Sequence, residues 1–72
     1  MMNLEIETKD KAREGDVINA YNEALSTCNL SDFINSLKSN IGNSEIGMGG
    51  NHVWIYDKTT NKRIATIINL FN

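Results

Sequence analysis

The sequence predicts an α+β domain, with two helices packed on one face of a small antiparallel sheet. The sheet has three strands, or four if a glycine-rich stretch also pairs. Three observations predict this: an alternating start, two middle stretches of helical period, and two β-branched and aromatic runs around a polar turn at the end. The predicted order is β-α-α-(β)-β-β, ending in a β-hairpin. A chain of 72 residues suits a single domain, residues 1–72.

The first strand is predicted over residues 3–8, where polar and apolar residues alternate with period two. Leu4 and Ile6 share one face of such a strand, and Glu5 and Glu7 share the other. The alternation therefore predicts a half-buried strand with its carboxylates in solvent.

The first helix is predicted from about Asp10 to Cys28, with Thr8 or Asp10 as its N-cap, in preference to a shorter helix capped by Asp16. Gly15 lies inside this helix at a cost of about 1 kcal/mol relative to alanine. Asn29 suits the left-handed residue that follows a helix end. The predicted apolar stripe consists of Ala12, Val17, Tyr21, Ala24, Leu25 and Cys28.

A second helix is predicted to begin near Leu30, with the Ser31 hydroxyl as its N-cap and Asp32 in its first turn. It ends at residues 40–43. Its apolar face consists of Phe33, Ile34, Leu37 and Ile41. The glycine-rich residues 42–51 that follow are predicted to be a flexible connector, part of which forms an edge strand because Ile46 and Met48 alternate.

The C-terminal hairpin pairs residues 53–56 with 64–68 around a polar turn at 57–62. We expect Asp57 opposite Lys62, with Asn61 at positive φ. This register pairs Tyr56 with Arg63, Ile55 with Ile64, Trp54 with Ala65, Val53 with Thr66 and His52 with Ile67. One predicted face then carries Val53, Ile55, Ile64, Thr66 and Ile68, and the other carries His52, Trp54, Tyr56, Arg63, Ala65 and Ile67.

Two helices can cover one face of so small a sheet, and the aliphatic face suits them. The other face is then left to recognise a partner, since exposed aromatic residues and arginine are typical of interface centres. The candidate partner-binding residues are Trp54, Tyr56 and Arg63 as anchors, Lys58 and Lys62 on the rim, and His52. Three alternatives remain: the aliphatic face is the open one, the aromatic face is ordinary surface, or it forms a homodimer contact. Leu70 and Phe71 could also fold over it.

The composition argues against enzymatic and cofactor chemistry. One Cys and one His, Cys28 and His52, are the sole candidates for a nucleophile–base pair, and no metal-ligand spacing is present. The glycines of residues 47–50 precede a strand and lack the lysine of a phosphate-binding loop. We therefore expect no enzyme activity, no cofactor and no metal site. No apolar run approaches the roughly 20 residues that span a bilayer, so we expect a cytoplasmic protein without a membrane partner.

Charge is unevenly distributed along the chain, whose net charge is −2. Residues 1–32 carry −4 and residues 33–72 carry +2.

The exposed face of the hairpin predicts the function: non-enzymatic binding of a larger protein through the aromatic and basic face of the hairpin. By analogy of size and layout, this suits a small regulator or inhibitor of the phage or mobile-element type. The alternative is a single-stranded nucleic-acid binder, in which the same aromatic residues stack on bases.

Overall fold

The computed structural model describes residues 2–27 and 29–70, and within them it confirms the predicted α+β class. Two helices and four strands follow in the order β1-α1-α2-β2-β3-β4. The elements are β1 (Asn3–Ile6), α1 (Lys11–Ala24), α2 (Leu30–Asn40), β2 (Ser44–Gly49), β3 (His52–Asp57) and β4 (Arg63–Ile68). The strands form one antiparallel sheet in the order β1-β4-β3-β2, so β1 and β2 are its edges.

Side chains explain where each helix begins. The Asp10 carboxylate accepts hydrogen bonds from the backbone N–H groups of Ala12 and Arg13, which confirms Asp10 as a cap of α1. The caps predicted around α2 were wrong. Asn29 is not a left-handed residue but the N-cap of α2, where its Oδ1 accepts from the N–H of Asp32 at 2.9 Å. Asn29 therefore takes the capping role predicted for Ser31.

The core lies between the helices and one face of the sheet. The predicted face of α2 is confirmed: Phe33, Leu37 and Ile41 are buried, and Ile34 packs against them. The predicted stripe of α1 is partly wrong, since Ala12 and Leu25 are exposed and Ala20 is buried. Cys28 lies outside the described residues. The sheet contributes Val53, Ile55, Ala65 and Ile67, each with no exposed surface.

The glycine-rich stretch forms a complete edge strand. Ser44 to Gly49 pair with β3 along its whole length, so the connector predicted there is β2. The β2–β3 turn consists of Gly50 and Asn51, and Gly50 has a φ of 55°. Glycine adopts this left-handed conformation without the steric cost that a side chain adds.

The register predicted for the hairpin is right at the turn and wrong beyond it. Tyr56 pairs with Arg63 and Asn61 has a φ of 59°, both as predicted. A bulge between Ile55 and Tyr56 then shifts the pairing by one residue. The observed pairs are Val53 with Ile67, Trp54 with Thr66 and Ile55 with Ala65. Beyond the bulge the predicted faces of β4 are therefore exchanged: Ala65 and Ile67 lie on the core face, and Thr66 and Ile68 lie on the outer face. Ile64 is buried in the core, as predicted.

Candidate interaction face

The sheet face opposite the helices, here called the outer face, carries the aromatic residues predicted for it. Val53 and Ile55 are fully buried in the core, so the alternating residues His52, Trp54 and Tyr56 point the other way. Trp54 and Tyr56 are half-buried, and His52 is exposed. The alternative in which Trp54 belongs to the core is therefore wrong. Leu70 packs against the core rather than over this face, and Phe71 lies outside the described residues.

Trp54 lies over two glycines of the neighbouring edge strand. A Cβ on Gly49 would come 2.9 Å from Cζ3 and 3.0 Å from Cη2 of the indole. A Cβ on Gly47 would lie 3.5 Å from Cε2 of Tyr56 and 3.8 Å from Cε3 of Trp54. Because glycine has no side chain, the indole lies close to the backbone of β2 at Gly47 and Gly49, which are here called the glycine bed. His52 stacks on Trp54 with ring centroids 5.9 Å apart and an angle of 11° between the planes.

Arg63 is held by neighbours on the outer face. Its Cζ lies 5.8 Å from the centroid of the Tyr56 ring, and its Nη1 lies 3.9 Å from Oε1 of Glu7. The other carboxylate oxygen of Glu7 accepts a hydrogen bond of 2.7 Å from the hydroxyl of Thr66, which is buried. The arginine therefore faces both an aromatic ring and a carboxylate, and these limit its role as a free cation.

Carboxylates border the aromatic centre on both sides. Glu5 pairs with Thr66 on β4, and Glu45 pairs with Tyr56 from β2. Both are exposed, and they share the outer face with Glu7. The border is thus more acidic than the sequence analysis predicted, because pairing with β4 brings the first strand onto this face.

The two lysines predicted for the rim line different surface depressions. Lys62 borders one with Lys9, Arg13 and Asp57, and Lys58 borders another with Lys38 and Glu45. Both lysines are exposed residues of the 57–62 turn. They therefore flank the hairpin tip and do not form one continuous basic surface beside Trp54.

The hairpin tip is fixed to the rest of the domain by a polar network. Nη2 of Arg13 donates to the carbonyl of Asn43 at 2.8 Å and lies 3.2 Å from Oδ2 of Asp57. Asp57 Oδ1 accepts from the backbone N–H groups of Thr59 and Thr60. The pKa of the Asp57 carboxyl is lowered, chiefly by the backbone hydrogen bond from Thr60. The hydrogen bond from Thr59 and the charge of Arg13 also lower this pKa, whereas desolvation raises it. The network links α1 to the start of β2 and to the turn between β3 and β4.

The described residues form no metal-binding cluster. Across residues 2–27 and 29–70, no three His, Cys, Asp or Glu side chains gather where they could hold a metal ion. In the same stretches no helix has the length and apolar character that crossing a bilayer requires. Cys28, the thiol of the one candidate nucleophile–base pair that the sequence offered, lies outside the described residues.

Sequence reasoning found the aromatic residues of the outer face but missed Gly47, Gly49, Thr66 and the carboxylates. The alternation of the first strand had placed Glu5 and Glu7 together, yet nothing local indicated that this strand pairs with β4.

Comparison of the chain with models of protein families, with curated proteins and with solved structures found no match to any of the three.

Proposed function

We propose that this chain is a non-enzymatic protein-binding module whose outer face binds a larger protein that presents lysine or arginine side chains around an apolar centre. The observation that supports it most is the placement of Trp54: an indole on the face opposite the helices, flat on a glycine bed and accessible to solvent. Tryptophan and tyrosine at the centre of a surface are characteristic of binding hot spots.

The charges around the aromatic centre support a basic partner. Glu5, Glu7 and Glu45 lie on the outer face, and Arg63 is close to Glu7. The faces of Trp54 and Tyr56 attract cations, and the bordering carboxylates attract the same groups. Single-stranded nucleic acid would bring phosphates against these carboxylates, so the charges favour protein over nucleic acid as the ligand.

The proposal is tested by selecting binders to the folded chain from a library of random peptides. We expect the selected peptides to be enriched in lysine or arginine. We expect Trp54→Ala to weaken them by about 2 kcal/mol or more, roughly thirtyfold in Kd. Ile18→Ala is the matched control, because Ile18 is a partly exposed apolar residue of α1, away from the outer face.

A second variant separates loss of binding from loss of structure. Glu5→Lys combined with Glu45→Lys changes two exposed side chains, so circular dichroism should remain that of the unmodified chain. We expect this variant to lose the basic peptides as well, through repulsion. The proposal is overturned if the peptides bind Trp54→Ala and the charge-reversed variant as tightly as the original chain.

Nucleic acid is the opposing outcome of the same test. An oligonucleotide of deoxythymidine is titrated into the chain at low salt. If it binds through Trp54, and the logarithm of affinity falls with the logarithm of salt by about 0.7 per phosphate contact, the chain is a nucleic-acid binder and the proposal is wrong.

A further inference from the structure

The outer edge of β2 offers backbone groups for pairing. The carbonyl of Asn43 accepts a hydrogen bond from the N–H of Lys58 at 3.1 Å. Hydrogen-bonded residues alternate along an antiparallel strand, so the odd-numbered residues of β2 bond to β3. The N–H and C=O groups of Ser44, Ile46 and Met48 therefore point away from β3, to the side where the described residues place no further strand.

This edge has few of the features that usually prevent strands from pairing, and Glu45 is its one charged residue. β2 contains no proline and no lysine, its register with β3 has no bulge, and it is six residues long. Met48 is 47% exposed there. The opposite edge differs, because β1 has four residues and carries Glu5, with Glu7 next along the chain. Of the two edges, β2 is therefore the better template for an added strand.

We propose that two copies of this chain associate through β2, as antiparallel strands related by a twofold axis at Gly47. A twofold axis perpendicular to the sheet keeps both helix layers on one side and makes the contact self-complementary. In this register Ile46 of each copy lies opposite Met48 of the other, in hydrogen-bonded pairs that use the outward backbone groups. The exposed Met48 then packs against an apolar residue on the core side of the extended sheet.

Charge also favours this register. Glu45 is the charged residue of β2, and here it lies opposite Gly49 of the second copy. The two Glu45 carboxylates are then four residues apart along the paired strands, about 13 Å. A register that placed Glu45 opposite itself would bring like charges together and is disfavoured.

The dimer goes beyond the proposed function and does not depend on it. Pairing uses backbone groups at the edge of the sheet, whereas Trp54 lies on the outer face. Association would place two outer faces side by side with their glycine beds adjacent. Loss of peptide binding in Trp54→Ala and loss of dimer in an edge variant are therefore separate results.

The mass of the protein in solution, measured by sedimentation over a concentration series, tests the association. We expect the mass to rise from 8.1 kDa to twice that value with concentration. Met48→Pro should remain at 8.1 kDa, because the N–H it removes points outward and leaves the bonds to β3 in place. The control, Ile18→Lys, changes an exposed apolar residue of α1 and should still dimerise. If Met48→Pro fails to fold, Met48→Lys supplies the same test.

A mass of 8.1 kDa for the unmodified chain up to about 1 mM would overturn the association, as would a dimer that persists in the folded edge variant.

The register is tested by oxidative cross-linking in a Cys28→Ser background. In the proposed register, Gly47 of one copy faces Gly47 of the other as a non-hydrogen-bonded pair. Their Cα atoms are about 4.5 Å apart, a distance that suits a disulfide. Gly47→Cys should therefore cross-link and Glu45→Cys should not. A cross-link at position 45, or none at 47 in a dimer, would overturn the register.

Discussion

The two faces of the sheet are built from alternate residues of the same strands, yet they differ in nearly every property. On the core face, Val53, Ile55 and Ile67 are fully buried against the helices. On the outer face, Trp54 and Tyr56 remain half-buried, with carboxylates and an arginine around them. The core face stabilises the fold through burial of aliphatic surface, and the outer face holds its aromatic groups in place through contacts within the sheet. Adjacent residues of β3 should therefore respond differently to truncation.

The largest expected difference is between Ile55→Ala and Trp54→Ala. Ile55→Ala leaves a cavity in the core and should lower the free energy of unfolding by about 3 kcal/mol. A domain of 72 residues has a total free energy of unfolding of about 4–11 kcal/mol, so this loss leaves the variant close to unfolding. Trp54→Ala should lose about 1.5 kcal/mol, because one side of the indole already contacts solvent. Urea denaturation followed by circular dichroism measures both, and an equal or larger loss for Trp54→Ala would contradict the comparison.

The glycine bed gives the next largest effect. Gly49→Ala would bring its Cβ within 3.0 Å of the indole and force the ring to move, at about 1.5 kcal/mol. Gly47→Ala is the matched variant, because its Cβ meets Tyr56 at 3.5 Å, an ordinary contact. We expect Trp54 fluorescence to shift in Gly49→Ala and to stay unchanged in Gly47→Ala. Unchanged Trp54 fluorescence in Gly49→Ala would show that the indole does not lie on Gly49.

How far the sequence predicts each face depends on how local the determining interactions are. The turn at 57–62 is set by neighbouring residues: Asp57 lies opposite Lys62 and Asn61 has a positive φ, both as predicted. The faces of β3 were also predictable, because aliphatic and aromatic residues alternate cleanly along it.

The faces of β4 could not be predicted from the same pattern. Beyond Ile64, which is buried in the core, Thr66 and Ile68 suit a strand as well as Ala65 and Ile67 do, so the alternation has no preferred phase. One extra residue in the bulge then decides which set reaches the core.

The outer face was predicted in its centre and missed at its border for a related reason. Gly47 and Gly49 are typical of a loop in isolation, yet they pair with β3 and lie close to Trp54. Glu7 reaches Thr66 across 59 positions of sequence. Both features depend on which strands are neighbours, and periodicity within one strand carries no information about that.

The hydrogen bond between Thr66 and Glu7 provides the next test of how contacts on the outer face stabilise the fold. Thr66→Val keeps the shape of the side chain and removes the hydroxyl that donates to Glu7. We expect a loss of about 0.5–1 kcal/mol, because Glu7 is partly exposed and can bind water instead. A double-mutant cycle with Glu7→Ala, which removes the acceptor, measures the coupling. Zero coupling would show that the hydrogen bond does not stabilise the outer face.

The smallest expected effect lies at the hairpin tip, where both faces end. The pKa of Asp57 is lowered, so its stabilising contribution is complete above the ordinary value near 3.8 and is lost as pH falls through the lowered value. Asp57→Asn should therefore remove part of the acid dependence of the free energy of unfolding. Backbone donation from Thr60 is the largest cause, so in Arg13→Gln the pKa of Asp57 should stay lowered, as measured by NMR titration of its carboxyl carbon. Return of this pKa to its ordinary value in Arg13→Gln would instead make the contact with α1 the dominant cause, and the tip would then depend on the helix layer rather than on its own turn.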